Sequence, residues 1–288
     1  MIKQFALTTI LFLATTATAW SDDKATHQKA EDAYNEGNFA QALEIWRPLA
    51  TQGFAASQTA LGIMYEEGQT LKQDFTKAAE WYLKAAKQGD PIAQSNLAAL
   101  HEKGQGVKQD DNAAFNWYSK SAAQGNAAAQ TSLGAMFEGG LGTKQDEAKA
   151  VDWYRKAAKQ GYVIGQIYLG SMYELGRGVK QDYGEAVSWY RKAAEKGFPT
   201  AQNAMGTMYA NGFGVKQDYA EAIKWYRKAA ERNEPDAQNN LGILYASGLG
   251  VEKNDAEAIK WFGKATEQGH PDAIVNLEQM ETSESPAK

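Results

Sequence analysis

The chain has 288 residues, a formal net charge of −5, 23% charged residues and no cysteine. This length suggests one or two domains, and the modest acidic charge argues against nucleic acid or an anionic membrane surface as the main partner, because both require a clustered positive field. Only six prolines occur and helix-forming residues dominate, so the composition favours α-helix.

The first 19 residues have the pattern of a secretory signal peptide. Lys3 precedes an apolar run over residues 5–14 that is too short to span a bilayer, and Ala17-Thr18-Ala19 supplies a small-x-small cleavage site. We expect cleavage after Ala19 and export to the periplasm, with secretion beyond it left open and an uncleaved anchor as the alternative. No cysteine follows the site, so a lipidated N-terminus is excluded, and we expect no integral membrane segment after cleavage.

A repeat of 36 residues organises most of the chain. Tryptophan recurs at this interval as Trp81, Trp117, Trp153, Trp189, Trp225 and Trp261, and a glutamine column keeps the same step. The six predicted copies are 54–89, 90–125, 126–161, 162–197, 198–233 and 234–269. A divergent hairpin over 20–53 and a helix over 270–280 are the expected caps, and the tail 281–288 is predicted to be disordered because it lacks apolar periodicity.

Each copy is predicted to form two helices, A and B, joined by a glycine-rich turn. In the sixth copy helix A begins at Pro235 and ends at Gly248. In the fourth copy Asp182 and Glu185 predict a capping box at the start of helix B, in which each side chain accepts a bond from an orphan backbone N–H. Such hairpins bury their apolar faces only by stacking, so we predict an all-α protein, a right-handed α-solenoid of antiparallel hairpins.

The repeated phrase A-x-x-x-L-G-x-x-Y-x-x-G-x-G-V-x-x-D-x-x-x-A-x-x-W-Y-x-x-A-A-x-x-G resembles the Sel1-like repeat, a tetratricopeptide-like hairpin, over residues 54–269. Residues 20–53 look closer to an ordinary tetratricopeptide hairpin. The resemblance implies a non-enzymatic adaptor that binds other proteins. Exported bacterial members include periplasmic regulators of sensor kinases, envelope-assembly scaffolds and immunity proteins against effector lipases. A cysteine-rich branch is associated with β-lactam binding, and this cysteine-free chain departs from it.

Positions that differ between copies form one stripe on helix A. At about 100° per residue they fall within about 100° of one another, opposite the recurrent packing positions. The stripe reads as small, polar and rich in asparagine, which suits hydrogen bonding to a peptide backbone. The predicted partner contacts are Asn96, Ser132, Tyr168, Ser171, Asn203, Thr207, Asn239 and Asn240.

The stripe is expected to line the concave surface on which helical solenoids bind their partners. The alternative is a solvent face that varies because nothing packs on it. The binding hypothesis predicts that alanine at Asn203, Asn239 and Asn240 together abolishes partner capture and leaves thermal stability intact.

No residue pattern predicts catalysis, a cofactor or a metal site. His27, His101 and His270 are far apart in sequence and lack metal-ligand spacing. The glycine-rich turns lack the lysine of a phosphate-binding loop. The K-Q-D triplets are interpreted as exposed loops whose aspartate caps helix B, with an anion-binding edge as the alternative.

Three functions follow from these patterns. The favoured one is a periplasmic scaffold that binds a protein or peptide on its helix-A surface, one version of which inhibits that partner. The alternatives are a cell-envelope hydrolase acting on peptidoglycan or a β-lactam, and a structural spacer of the envelope.

Overall fold

The computed structural model describes residues 22–284, and every regular element in that range is an α-helix. The predicted signal peptide lies outside the described residues. The chain divides into two compact units, residues 1–145 and 146–288, which we call unit 1 and unit 2. Within residues 22–284 no helix is both long and apolar enough to cross a membrane.

Unit 1 stacks its helices in chain order. They are α1 (22–35), α2 (Phe39–Gln52), α3 (Ala55–Glu67), α4 (Phe75–Lys87), α5 (Pro91–Lys103), α6 (Asp111–Ala123) and α7 (Ala127–Gly139). Helices α3, α5 and α7 are the A helices of the first three copies, and α4 and α6 are B helices. Ala30, Trp46 and Leu61 share one apolar cluster, so α1 and α2 complete the core beside the first copy.

Unit 2 continues the same alternation. Its helices are α8 (Glu147–Lys159), α9 (Val163–Leu175), α10 (Tyr183–Glu195), α11 (Pro199–Asn211), α12 (Tyr219–Ala230), α13 (Pro235–Ser247), α14 (Asp255–Glu267) and α15 (Pro271–Glu284). Helices α9, α11, α13 and α15 are A helices, and the even-numbered ones are B helices. The recurrent apolar positions of the sequence, such as Met205 and Tyr226, are buried between them.

The capping box predicted at α10 forms only in part. The Asp182 carboxylate accepts the backbone N–H of Glu185 at 3.0 Å, as expected. The backbone N–H of Asp182 donates instead to the carbonyl of Tyr173 in α9, at 2.9 Å, and the Glu185 carboxylate accepts from the indole of Trp189. The prediction that Glu185 accepts the N–H of Asp182 is wrong, because the A–B turn places the Tyr173 carbonyl within reach of that N–H.

The glycine-rich turn is explained by packing. Gly104 ends α5 in the left-handed conformation, with φ of 66°. Gly106 has φ of 68°, and a Cβ there would lie 2.2 Å from the carbonyl carbon of Phe75 at the start of α4. The second glycine therefore lets the turn of one copy lie directly against the first residue of the preceding helix B.

The C-terminal helix differs from its predicted extent. Helix α15 continues to Glu284, four residues beyond the expected end at residue 280. The Thr282 hydroxyl donates to the carbonyl of Glu278 at 2.9 Å, inside this added turn. A helix gains one backbone bond for each residue added, so polar residues extend it without apolar periodicity. Residues 285–288 of the predicted disordered tail lie outside the described part.

Candidate functional site

Four of the predicted contact residues lie beside buried tyrosines. The Tyr82 phenol of α4 is fully buried, donates to the Glu66 carboxylate of α3 at 2.6 Å and also hydrogen-bonds Asn96. Burial, followed by the hydrogen bond to Glu66, raises the pKa of the Tyr82 phenol, so it remains a donor. The same arrangement recurs for Ser132 with Tyr118 and for Ser171 with Tyr190, where each phenol also donates to a glutamate. Thr207 pairs with Tyr226 without a glutamate.

These contacts give part of the stripe a structural role. A tyrosine side chain from helix B reaches under helix A, where glycine leaves room for its ring. A Cβ at Gly206 would lie 2.5 Å from the Tyr226 ring. The sixth copy has Phe262 in place of the tyrosine and Ala246 in place of the glutamate. In the fifth copy Ala210 also replaces the glutamate, but Tyr226 keeps its phenol, which pairs with the Thr207 hydroxyl at 3.1 Å.

Three of the four asparagines predicted as contacts lie in unit 2, and each pairs with another asparagine side chain there. The Asn240 amide donates to Asn203 Oδ1 at 3.1 Å, linking α13 to α11. The Asn276 amide donates to Asn239 Oδ1 at 2.9 Å, linking α15 to α13. Asn239 is only 5% exposed, so its prediction as a surface contact is corrected. A buried amide pair contributes to stability, so intact thermal stability after triple alanine substitution is no longer expected.

The exposed part of the stripe contains apolar side chains together with polar and charged ones, among them Glu67, Lys103 and Asp236. Tyr168 is 42% exposed and stacks on Tyr154, with ring centroids 5.0 Å apart. Ile92, Ile164, Leu175 and Ile243 are other exposed apolar side chains of A helices. All of them occupy the varying positions, so the exposed surface is more apolar and less rich in asparagine than the sequence predicted.

Unit 1 contains a cavity on this helix-A face. Its volume is about 340 Å³, within the range of about 300–1,000 Å³ common for ligand sites. The lining residues come from α1, α2 and α3 and from the start of α5: His27, Glu31, Tyr34, Asn35, Trp46, Ala56, Thr59, Ala60, Ile63, Asp90 and Ile92. Five of these belong to the varying stripe, namely Ala56, Thr59, Ala60, Ile63 and Ile92.

Aromatic and acidic groups from the N-terminal hairpin close the cavity. His27 is buried between Trp46 and Phe54, and its Nδ1 lies 2.8 Å from the Ser57 hydroxyl. Burial lowers the pKa of the His27 imidazole against the opposing effect of Glu31, so the ring is largely neutral at pH 7. The Tyr34 phenol donates to the Glu67 carboxylate, and burial with this bond raises the pKa of Tyr34 to about 12.

The residues from α1 and α2 were missed as site residues. The comparison of copies did not find them, since α1 does not keep the 36-residue step and Trp46 of α2 falls in the packing column of Tyr82 rather than in a varying one. The available signal was the density of aromatic and histidine side chains in this short segment. Across residues 22–284, no group of three or more histidines and carboxylates has the geometry of a metal site.

Comparisons with known proteins agree with this architecture. The Sel1 repeat family model matches residues 55–90, 91–126, 127–162, 163–198, 199–234 and 235–270. No match was found among curated proteins.

Two solved structures are similar over most of the chain. A protective antigen of uropathogenic Escherichia coli, described as displaying an SLR fold, is 34% identical with a TM-score of 0.79. The match covers 91% of this chain and 57% of the antigen, so the chain spans little more than half of that protein. A Sel1 repeat protein from Oxalobacter formigenes is 33% identical with a TM-score of 0.77, over 83% of this chain and 96% of its own.

An immunity protein from Pseudomonas aeruginosa is more distant. It is 19% identical with a TM-score of 0.47, over 75% of this chain and 83% of its own. This likeness is too weak to carry an argument about function.

Proposed function

Because the chain belongs to the Sel1 repeat family, we propose that it is a periplasmic scaffold that binds a partner protein through its helix-A face and restrains that partner's activity. Sel1 repeat proteins are protein-interaction scaffolds.

The observation that carries the proposal is the cavity in unit 1. It opens on the face formed by the positions that differ between copies, and Ile92 at its edge is 51% exposed. Apolar side chains exposed around a concave site are typical of protein-binding surfaces. The tyrosine and asparagine contacts behind the stripe hold this face in place.

Photo-crosslinking in cells tests the proposed surface. A photoreactive phenylalanine analogue replaces Ile92 or Ile243, both on exposed parts of A helices. Matched control positions are Glu80 and Lys224, which are exposed on the B helices α4 and α12. We expect one discrete protein adduct from the A-helix positions that is absent from the B-helix positions.

The outcomes separate the competing functions. Adducts from Glu80 and Lys224 alone would place the interaction on the other surface and contradict the proposal. No adduct from any position would favour a structural spacer. Once crosslinking has identified the partner, adding the purified protein to the free partner should lower that partner's activity. An unchanged activity would contradict inhibition but not binding.

A further inference from the structure

The unit 1 cavity has a specific chemical character. Its lining includes the apolar side chains of Trp46, Ala60 and Ile63 and two carboxylates, Glu31 and Asp90. Among the described residues that line it there is no lysine or arginine. The cavity lining therefore combines apolar side chains with two negative charges that no lysine or arginine of the lining neutralises.

Both carboxylates are available to a ligand. The Glu31 side chain is 45% exposed, and its nearest cationic candidate is His27 Nε2 at 3.3 Å. That imidazole is buried and largely neutral at pH 7, so it does not cancel the charge of Glu31. Asp90 uses Oδ1 to accept the N–H of Ala93 at 2.7 Å as the cap of α5, a bond that does not involve Oδ2.

From this charge complementarity we propose that the cavity takes one arginine side chain, presented by an extended segment or loop of the partner protein. The methylene stem packs on Ile63 and Ala60, and the guanidinium lies between the carboxylates and the aromatic rings. Arginine fits better than lysine because its planar cation is weakly hydrated and stacks on Tyr and Trp. The inference deepens the proposed function and rests on it.

The volume limits the ligand. A cavity of about 340 Å³ holds one long side chain and the backbone next to it rather than a folded surface. Ile92 lies at the rim and contacts the residues on either side of the arginine. Specificity therefore comes from one basic residue, while the remaining stripe supplies a less selective surface.

Methyl NMR of the purified protein tests the inference directly. The probe is the capped peptide acetyl-Gly-Arg-Gly-amide, and its control is the same peptide with citrulline, a neutral isostere of arginine. We expect saturable shifts at Thr59, Ile63 and Ile92, and none at Ile243 in unit 2. The citrulline peptide should bind at least about tenfold more weakly, since it cannot pair with either carboxylate.

Two variants probe the charges without disturbing the fold. Asp90→Asn retains the helix cap, because Asn126 occupies the equivalent position and accepts the N–H of Ala129 at 2.9 Å. Glu31→Gln removes the second charge. Each variant should weaken binding of the arginine peptide about two- to fivefold, as expected for the loss of a partly exposed ion pair. Asp110→Asn, the cap of α6 outside the cavity, is the matched control and should have no effect.

The contrary results are specific. Equal binding of the two peptides, or shifts at none of the three methyl groups, would overturn the arginine site. If the signals of these methyl groups shift when residues 1–21 are removed from the uncleaved chain, the cavity is filled by that segment. If they shift on dilution without peptide, it is filled by a second copy of the chain. If the Ile92 adduct persists in those cases, the proposed function stands and only the arginine site fails.

Discussion

Individual side chains at one repeated position link neighbouring copies in two different ways. The Gln94 amide donates to the Ala86 carbonyl, and its Oε1 accepts from Gln124 at 2.8 Å. Lys196 and Arg232 replace glutamine at positions equivalent to Gln124. They donate instead to backbone carbonyls, and Oε1 of Gln166 and of Gln202 is left without a partner within residues 22–284.

Restoring glutamine should stabilise unit 2. Lys196→Gln and Arg232→Gln each provide an amide donor for the buried oxygen of Gln166 or Gln202, and an unsatisfied buried acceptor costs about 1–3 kcal/mol. We expect a higher melting temperature for each variant and a further rise for the pair. Gln124→Lys is the reverse control and should lower it. Unchanged melting temperatures in all three would contradict the account.

The stripe asparagines give a second prediction at this scale. Asn239→Ala should lower the free energy of unfolding by about 1 kcal/mol, because its buried oxygen accepts from Asn276. Asn211→Ala removes an exposed amide bonded to its own helix and should cost less. Chemical denaturation measures the difference. Equal costs would mean that the Asn239–Asn276 bond does not join the helices appreciably.

Among the elements, the turn depends on steric fit as well as backbone conformation. Gly106 and Gly125 both have positive φ, but only Gly106 faces the backbone of Phe75. A Cβ at Gly125 would have nothing within 4 Å. Gly106→Ala should therefore reduce stability more than Gly125→Ala, whose cost is the left-handed strain of about 1–2 kcal/mol. Equal melting temperatures for the two variants would refute the steric explanation.

The helix caps predict an acid dependence. Backbone hydrogen bonds from Lys77 and Lys149 lower the pKa of Asp74 and Asp146, respectively, below 3.8. A depressed folded-state pKa contributes stability above the unfolded value, and that contribution is lost as the pH falls through the folded pKa. Asp74→Asn with Asp146→Asn should therefore flatten the fall in melting temperature between pH 5 and about pH 2. An unchanged fall in melting temperature over this pH range would contradict the role given to these two caps.

For the whole molecule, export is the prediction on which the proposed compartment depends. Protein recovered from a periplasmic fraction should begin at Trp20, since Ala17-Thr18-Ala19 supplies a cleavage site and the apolar run over residues 5–14 is too short to span the membrane. N-terminal sequencing of the fractionated protein measures this. Intact protein starting at Met1 in the membrane fraction would support the uncleaved anchor.

Repetition explains why so much of the fold was predictable. A feature that stacking requires, such as the apolar residue at Leu97, the glutamine at Gln202 or the Asp182 cap, is visible as a recurrence in the sequence. The reciprocal capping bond was wrongly predicted because its competitor, the Tyr173 carbonyl, is brought near only by the A–B turn. In the divergent hairpin over 20–53, α1 does not keep the 36-residue step, so its cavity residues could not be compared between copies.

The sequence alone determined the helical hairpins, their period and the face on which copies differ, because stacking imposes the same packing residues in each copy. The tertiary structure decided which residues of that face are exposed. Asn239 and Thr207 hydrogen-bond to neighbouring side chains. Ile92 remains exposed beside a cavity that α1 helps to line. Helical periodicity reports the direction of a side chain, but its partners depend on which helices pack against it.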